Sequence, residues 1–413
     1  MGAGAQPAVR AELNARLQPA STAINTLGLE LLARSGTDAN GLLSPYSIQT
    51  ALAMTWAGAA GVTHDEMGRV LHYPPDEAAF HGSMAALREA LETAAARTVQ
   101  MAARARESGR AGDPLSLSVA NRLFGQTGYA FRRPFLDLTR DLYAAPFEAV
   151  DFESHPDRER QSINRWVEEK TRDRIRELIP PDGIDEDTRL VLVNAIHLQA
   201  PWQEPFPESA TRPAPFYLNP GKAIDVPTLR RQGRLGFAQR NGYRAVTVPY
   251  LGGEVQFLVL LPDANGSLSE LERGLTADQL VADAELPLTE VILHLPKLKL
   301  EPPLLRLGQE LRALGMTTAF DEPRGSADFD RMAPRRANDY LCISEVFHKT
   351  FLALDEKGTE AAAATAVVMM RVTSIAAPTP DPVEVRVDRP FLFAIQHRAS
   401  GACLFLGRVV DPR

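Results

Sequence analysis

From Gly358 the chain reads GTEAAAATAVVMMRVTSIAAPTPDPVEV, and no residue between Glu360 and Arg371 carries a charge. That stretch limits the possible folds more than any other. Its alanines favour helix, Thr365 and the valines after it favour strand, and the prolines at 378, 380 and 382 stop either from continuing. As a permanently exposed loop, ten uncharged residues would invite self-association. As a strand, the segment divides into two faces. Thr359, Ala361, Ala363, Thr365, Val367 and Met369 form one, and Glu360, Ala362, Ala364, Ala366, Val368 and Met370 form the other. Only Glu360 is charged, and the early members are small. Such a segment can slide into a sheet from its Gly358 end without dragging an unpaired charge through the interior. An ordinary short helix followed by a core strand is the competing reading, and the segment alone leaves both open.

The rest of the chain can build a large core. It has 413 residues, 45% hydrophobic and 23% charged, the balance of an ordinary globular protein. A net charge of −7 argues against a general nucleic-acid binder, which needs a basic surface. No run approaches the ~18 apolar residues of a membrane span. The first residues, MGAGAQPAVRAELNARL, show no apolar core of a signal peptide. Cys342 and Cys403 make no CxxC pair, so two buried free thiols are expected rather than a disulfide framework or a thiolate metal site. Arginine outnumbers lysine 39 to 6, a bias that fits a GC-rich genome and carries no chemistry.

Helices and strands alternate irregularly. Ala23 to Leu32 has helical spacing, SPYSIQTALAMTWAG opens at Ser44 with a cap and a first-turn proline, and a third helix is expected over Thr63 to Leu71. Ala103 to Pro114 is polar and reads as an exposed connection. Strand-like runs follow at Leu115–Phe124, Leu190–Leu198, Ala245–Tyr250, Val255–Leu261, Val291–Leu295, Leu341–Leu354 and Phe391–Ile395. Between the first two lies a charged helix, Glu159 to Leu178, with Ile163, Trp166, Val167 and Ile175 near one face. Without a clean βαβ alternation, the pattern implies an α+β fold with large mixed or antiparallel sheets. One large domain over 23–413 is the simplest division, with 1–22 as a flexible extension.

A search for catalytic motifs is negative: GxSxG, P-loop, GxGxxG and HExxH are all missing. His197 and His348 sit inside apolar runs, where a hydrogen-bonded structural histidine is favoured over a general base. Asn265-Gly266-Ser267 reads as a turn before it reads as a glycosylation site. Arg230, Arg231 and Arg234, like Arg97, Arg104, Arg106 and Arg110, read as solvated surface.

Several stretches together resemble the serpins. DEKGTEAAAAT (Asp355 to Thr365) is similar to the serpin hinge, and VDRPFLFAIQHRASGACLFLGRVVDP (Val387 to Pro412) to the C-terminal signature. The likeness extends through NGLLSPYSIQTALAMTWAGAAGVTHDEM, SVANRLFG, LVNAIHLQAPWQEPF and LHLPKLKLE, in family order from about Ala23.

The resemblance implies a serpin fold: three β-sheets, about nine helices and an exposed reactive-centre loop at about 356–385. It implies an inhibitor of serine proteases rather than an enzyme, working without cofactor or metal as a monomer. The protease cleaves the loop, and the acyl-enzyme is trapped when 358–371 inserts as a strand. Fifteen or so residues at ~3.4 Å span on the order of 50 Å, comparable to the diameter of about 50–60 Å expected for a chain this long. A serine protease in a covalent 1:1 complex is the expected partner, with a cysteine protease as a further candidate and neither nucleic acid nor membrane.

By the same resemblance Glu356, Gly358, Thr359, Glu360, Ala361, Ala362, Ala363 and Ala364 form the hinge. Ser44, Ser47, Asn194 and His348 match the shutter, and Trp202 the breach where insertion starts. Family spacing from Glu356 places the scissile bond at Val372–Thr373, suiting an elastase-like or subtilisin-like protease. A hinge one residue shorter would place it at Arg371–Val372, suiting a trypsin-like one. The stretch after the bond is longer and richer in proline than the family pattern. A non-inhibitory serpin acting as carrier or chaperone is the alternative function. Family analogy suggests an extracellular site, with the cytoplasm as the alternative.

Overall fold

Ser44 and Pro45 start the helix on which the centre of the molecule rests. The Ser44 hydroxyl accepts from the Ser47 amide (3.3 Å), and Pro45 takes the first-turn position, where no amide is needed. The computed structural model describes residues 7–36, 38–107, 113–264, 266–337, 339–360 and 381–413. Among them are nine helices: α1 Pro7–Arg34, α2 Pro45–Gly58, α3 Gly61–Val70, α4 Glu77–Glu107, α5 Arg133–Tyr143, α6 Pro156–Lys170, α7 Leu268–Gly274, α8 Ala277–Ala282 and α9 Gly308–Ala313.

Three of these depart from the sequence expectation. Helix α1 runs through the expected boundary at residues 22 and 23, and Leu17 and Ala20 are already fully buried. Helix α4 continues to Glu107, through the first part of the expected connection; residues 108–112 lie outside the described residues. Helix α6 stops at Lys170 instead of Leu178. There Arg172 and Asp173 take left-handed backbone, which ends the helix, and the Thr171 hydroxyl accepts from the Ile175 amide (3.1 Å). Ile175 is still buried, from the turn rather than from the helix.

The central sheet has six strands in the order β10–β13–β14–β4–β2–β3. These are β2 Ser116–Gln126, β3 Phe147–Val150, β4 Leu190–Pro201, β10 Leu298–Leu300, β13 Leu352–Leu354 and β14 Gly358–Thr359. Two further sheets share one strand. The first runs β1 Gly41–Leu43, β17 Cys403–Val409, β16 Phe391–His397, β8 Val255–Pro262, β7 Tyr243–Pro249 and β6 Lys222–Arg240. The second joins β6 to β5 Arg212–Asn219, β9 Leu288–Pro296 and β15 Val383–Arg386. Gly236 is the changeover, opposite Thr247 of β7 on one edge and Leu288 of β9 on the other. A small pair, β11 Leu305–Arg306 and β12 Phe347–His348, lies apart.

Alternation in β4 assigns its two faces. Ile196, Leu198 and Ala200 join the main core, while Val193 and Ala195 join a smaller core with Ile163 and Val167 of α6. The expected strand Leu341–Leu354 is the largest departure. Only β12 and β13 form within it, because among the described residues no strand pairs with it on the β4 side below β14. Its backbone bonds go to the other side, Ile343 to the Ala319 carbonyl (2.8 Å) and β12 to β11. Cys342 falls in this unpaired stretch and is exposed, against the expectation of two buried thiols; Cys403 is buried, and burial pushes its thiol up to about 12.

Candidate functional site: an open sheet with its hinge docked

Between β4 and residues 341–351 lies a slot. Among the described residues no backbone hydrogen bond crosses it below Thr359. The slot encloses a cavity of about 300 Å³, lined by Ile48 and Leu52 of α2, Leu178, Val193, Ile343 and Phe347, among others. Unpaired strand edges are costly to leave unmatched, so this is the edge to which a further strand would add.

The top of the slot is occupied. Gly358 pairs opposite Pro201, and Thr359 is opposite Ala200 on one side and Leu354 on the other. Only glycine fits at 358, since a Cβ there would lie 2.1 Å from the Ala200 carbonyl oxygen. Thr359 is buried, and its hydroxyl bonds the Tyr250 phenol at 2.5 Å. Tyr250 stacks on Trp202 with centroids 4.5 Å apart and planes within 2°. Trp202 in turn donates from Nε1 to the Asp355 carbonyl (3.0 Å), and its amide donates to the Lys357 carbonyl (2.8 Å).

Glu356 anchors the outer end of the turn. Its carboxylate takes hydrogen bonds from Lys297 Nζ and the Thr211 hydroxyl, both at 2.9 Å. Burial works against the charge, but the Lys297 ammonium and the surrounding donors outweigh it and hold the carboxyl below its ordinary value. Glu360 ends the docked segment, its amide donating to the Ala353 carbonyl (2.8 Å). Its buried carboxylate contacts His197 Nε2 (2.6 Å) and Arg174 Nε (3.2 Å).

Behind the slot the four residues matched to the shutter form two branches, joined where the Ser47 amide donates to the Ser44 hydroxyl. Ser44 donates its amide to His348 Nε2 (3.0 Å) and its hydroxyl to the Leu404 carbonyl (2.7 Å). Because an amide only donates, Nε2 must be unprotonated, and burial holds the His348 pKa down at about 4. Ser47 donates to Asn194 Oδ1, Asn194 donates to Asn121 Oδ1, and Asn121 donates to the Tyr143 carbonyl (3.1 Å). His348 and Asn194 do not meet in a hydrogen bond among those described.

Sequence reasoning missed Asn121, Tyr250, Arg174 and the pairing of His197 with Glu360. The position of Asn121 in SVANRLFG was a usable signal, since β2 pairs it directly opposite Asn194. Arg231, expected as solvated, is buried and bonded to the Glu204 carboxylate (2.7 Å), while Arg230 and Arg234 are exposed. Ser267 caps α7 in a capping box, and Asn265 lies outside the described residues. So do Ala361 to Ala364, Arg371, Val372 and Thr373.

A six-stranded sheet with a slot, Gly358 and Thr359 docked at its top and a polar network behind it is an architecture shared with known proteins. The family model described as Serpin (serine protease inhibitor) matches residues 22–412. The leukocyte elastase inhibitor of Equus caballus is 34% identical over 408 residues, covering 96% of this chain and all of that one. Serpin B3 of Homo sapiens is 34% identical over 384 residues, covering 92% and 95%. The thermophilic serpin Tengpin in its native state superposes with a TM-score of 0.76 at 26% identity, covering all of this chain and 96% of that one. The chain belongs to the serpin family. Its relatives are named as protease inhibitors rather than enzymes.

Proposed function

We propose that the protein inhibits serine proteases by serving once as their substrate. The observation that carries this reading is the slot beside β4 with Gly358 and Thr359 already paired at its top. Continuing that register residue for residue puts Met369 opposite Leu190, the first residue of β4. The inserted strand would then present Thr359, Ala361, Ala363 and Thr365 on the Tyr250 face and the remaining alanines on the α6 face. A protease nucleophile attacks the loop and forms an acyl-enzyme. The freed strand end then adds to the sheet, carrying the protease with it before the ester is hydrolysed. Ladder hydrogen bonds at ~0.5–1.5 kcal/mol each give a driving force on the order of 10 kcal/mol.

The bond cleaved is Val372–Thr373, which suits an apolar S1 pocket; the leukocyte elastase inhibitor among the relatives favours the same class. Arg371–Val372 and a trypsin-like protease form the alternative. Incubation with elastase, subtilisin and trypsin should give an SDS-resistant 1:1 complex with at least one, and the mass of the released fragment locates the bond. Thr359→Arg places a guanidinium against buried Tyr250 and should convert the inhibitor to a substrate. Cleaved chain with fully active protease throughout the panel would refute the proposal, as would undiminished inhibition by Thr359→Arg.

A further inference from the structure

A cleft of about 520 Å³ lies where the end of β5, the start of α7 and the residues flanking β16 and β17 meet. Leu218, Leu268, Pro390 and Val410 give it apolar sides, and Asp38, Glu272 and Asp411 give it carboxylates. No lysine, arginine or histidine lines it among the described residues. Glu272 is the unusual member, since only 4% of its side chain is exposed. Arg408, fully buried in β17, donates from Nη1 to Glu272 Oε1 (2.5 Å). Further donors of the same guanidinium go to the Ala39 carbonyl (3.0 Å) and the Ser35 hydroxyl (3.2 Å), which fixes the pair in place. Glu272 Oε2 is buried as well, with no hydrogen-bond partner among the described residues. A buried carboxylate oxygen left unmatched is costly, and a charged donor offsets that cost best.

We propose that the cleft binds a primary alkylammonium ion, its head on Glu272 Oε2 and its stem against the four apolar side chains. An ammonium is a compact charge with three donors on an apolar stem, so one end seeks a carboxylate while the other packs. Ser269 lines the same cleft one helical turn before Glu272, and its hydroxyl offers the head a second acceptor. Asp411 is already paired with Arg413 (2.6 Å), so the head goes to Glu272 rather than to it. A divalent metal fits less well, because among the described residues no three acidic, histidine or cysteine side chains are placed to hold one. The ammonium belongs to a free amine or to a lysine side chain of another protein. Because the cleft joins α7 to β5 and to the ends of β16 and β17, its occupancy stabilises the native chain. Nothing in this site depends on loop cleavage or insertion.

Titration calorimetry of the full chain at neutral pH with n-butylammonium chloride should show one site. Sodium chloride at the same ionic strength and butan-1-ol should show none. Butane-1,4-diamine and Nα-acetyl-lysine methylamide separate the two sources, and whichever binds more tightly names the free amine or the protein lysine. Glu272→Gln should weaken amine binding at least tenfold. Should that variant fail to fold beside buried Arg408, Ser269→Lys carries the test, since its tethered ammonium lies one turn from Glu272. It should weaken amine binding at least tenfold and raise the melting temperature of the amine-free protein, whereas Ser269→Met should not raise it. The proposal is overturned if none of the three amines binds at millimolar concentration, or if sodium or butan-1-ol binds as tightly as butylammonium. Unchanged amine binding in Ser269→Lys overturns it equally.

Discussion

The two edges of β4 are built on opposite terms. Along one edge it pairs with β2 in unbroken register from Leu190 opposite Gly125 to Gln199 opposite Ser116. Along the other, among the described residues, it pairs with Gly358 and Thr359 alone, and the slot lies below them. Side chains of a strand project to its faces and not to its edges, so the composition of β4 does not explain the difference. What differs is the partner: β2 pairs along one edge, and on the other the described residues supply only the two-residue β14. If the slot takes up a further strand, as proposed, the resting fold is held by a barrier rather than by depth.

Filling the slot should erase this contrast, and it is the largest effect expected. Cleavage of the loop by a protease that is then removed should raise stability on the order of 10 kcal/mol. At about 2 °C per kcal/mol for a large domain, the melting temperature rises by on the order of 20 °C. Calorimetry before and after cleavage measures it, and equal melting temperatures would mean the slot does not accept the strand.

Acid should expose the contrast from the other direction. His348, beside the slot, and His397, in the saturated sheet, are both held down to about 4 by burial. In the unfolded chain each takes its proton near the ordinary value of about 6.5. The unfolded state therefore binds more protons between those limits. The stability each neutral ring supports is present in full above pH 6.5 and is lost as pH falls through about 4. For His348 the shift corresponds to on the order of 3 kcal/mol. Denaturant titrations across this window should show a shallower pH slope for His348→Gln than for the parent, with the remaining slope due largely to His397. An unchanged slope would place the acid sensitivity entirely in the saturated sheet.

The smallest effect concerns the network that joins the slot to the closed edge. Asn194→Ala strips partners from Ser47 and Asn121 together, at a cost of about 1–3 kcal/mol. Because the loss falls on the α2 side of β4, loop insertion should also quicken. Urea midpoints and the rate of complex formation report the two parts separately.

Much of this architecture was legible in the sequence, and the unread part has a common cause. GTEAAAAT could be read as a segment able to enter a sheet because charge and side-chain size are local properties, and its first two residues do pair in one. Ser44, Ser47, Asn194 and His348 could be assigned to the shutter by family likeness, and all four do lie behind the slot. Asn121, Tyr250 and the His197–Glu360–Arg174 contact could not, since each depends on strand register or on a turn crossing the sheet. The break in Leu341–Leu354 was invisible for the converse reason. Its apolar run is sound strand sequence, and among the described residues no strand lies on its β4 side to pair with it. Helix α6 ended early because left-handed backbone at Arg172 and Asp173 overrode a helical pattern that continues to Leu178.

The slot beside β4 also makes the protein's shelf life a matter of reaction order. A slot filled by the molecule's own loop ages at a rate indifferent to dilution. The same unpaired edge filled by a neighbouring molecule's loop ages with the square of concentration. A dilute stock and a concentrated one would lose activity through different products, compact inert monomers in the first and loop-to-sheet chains in the second.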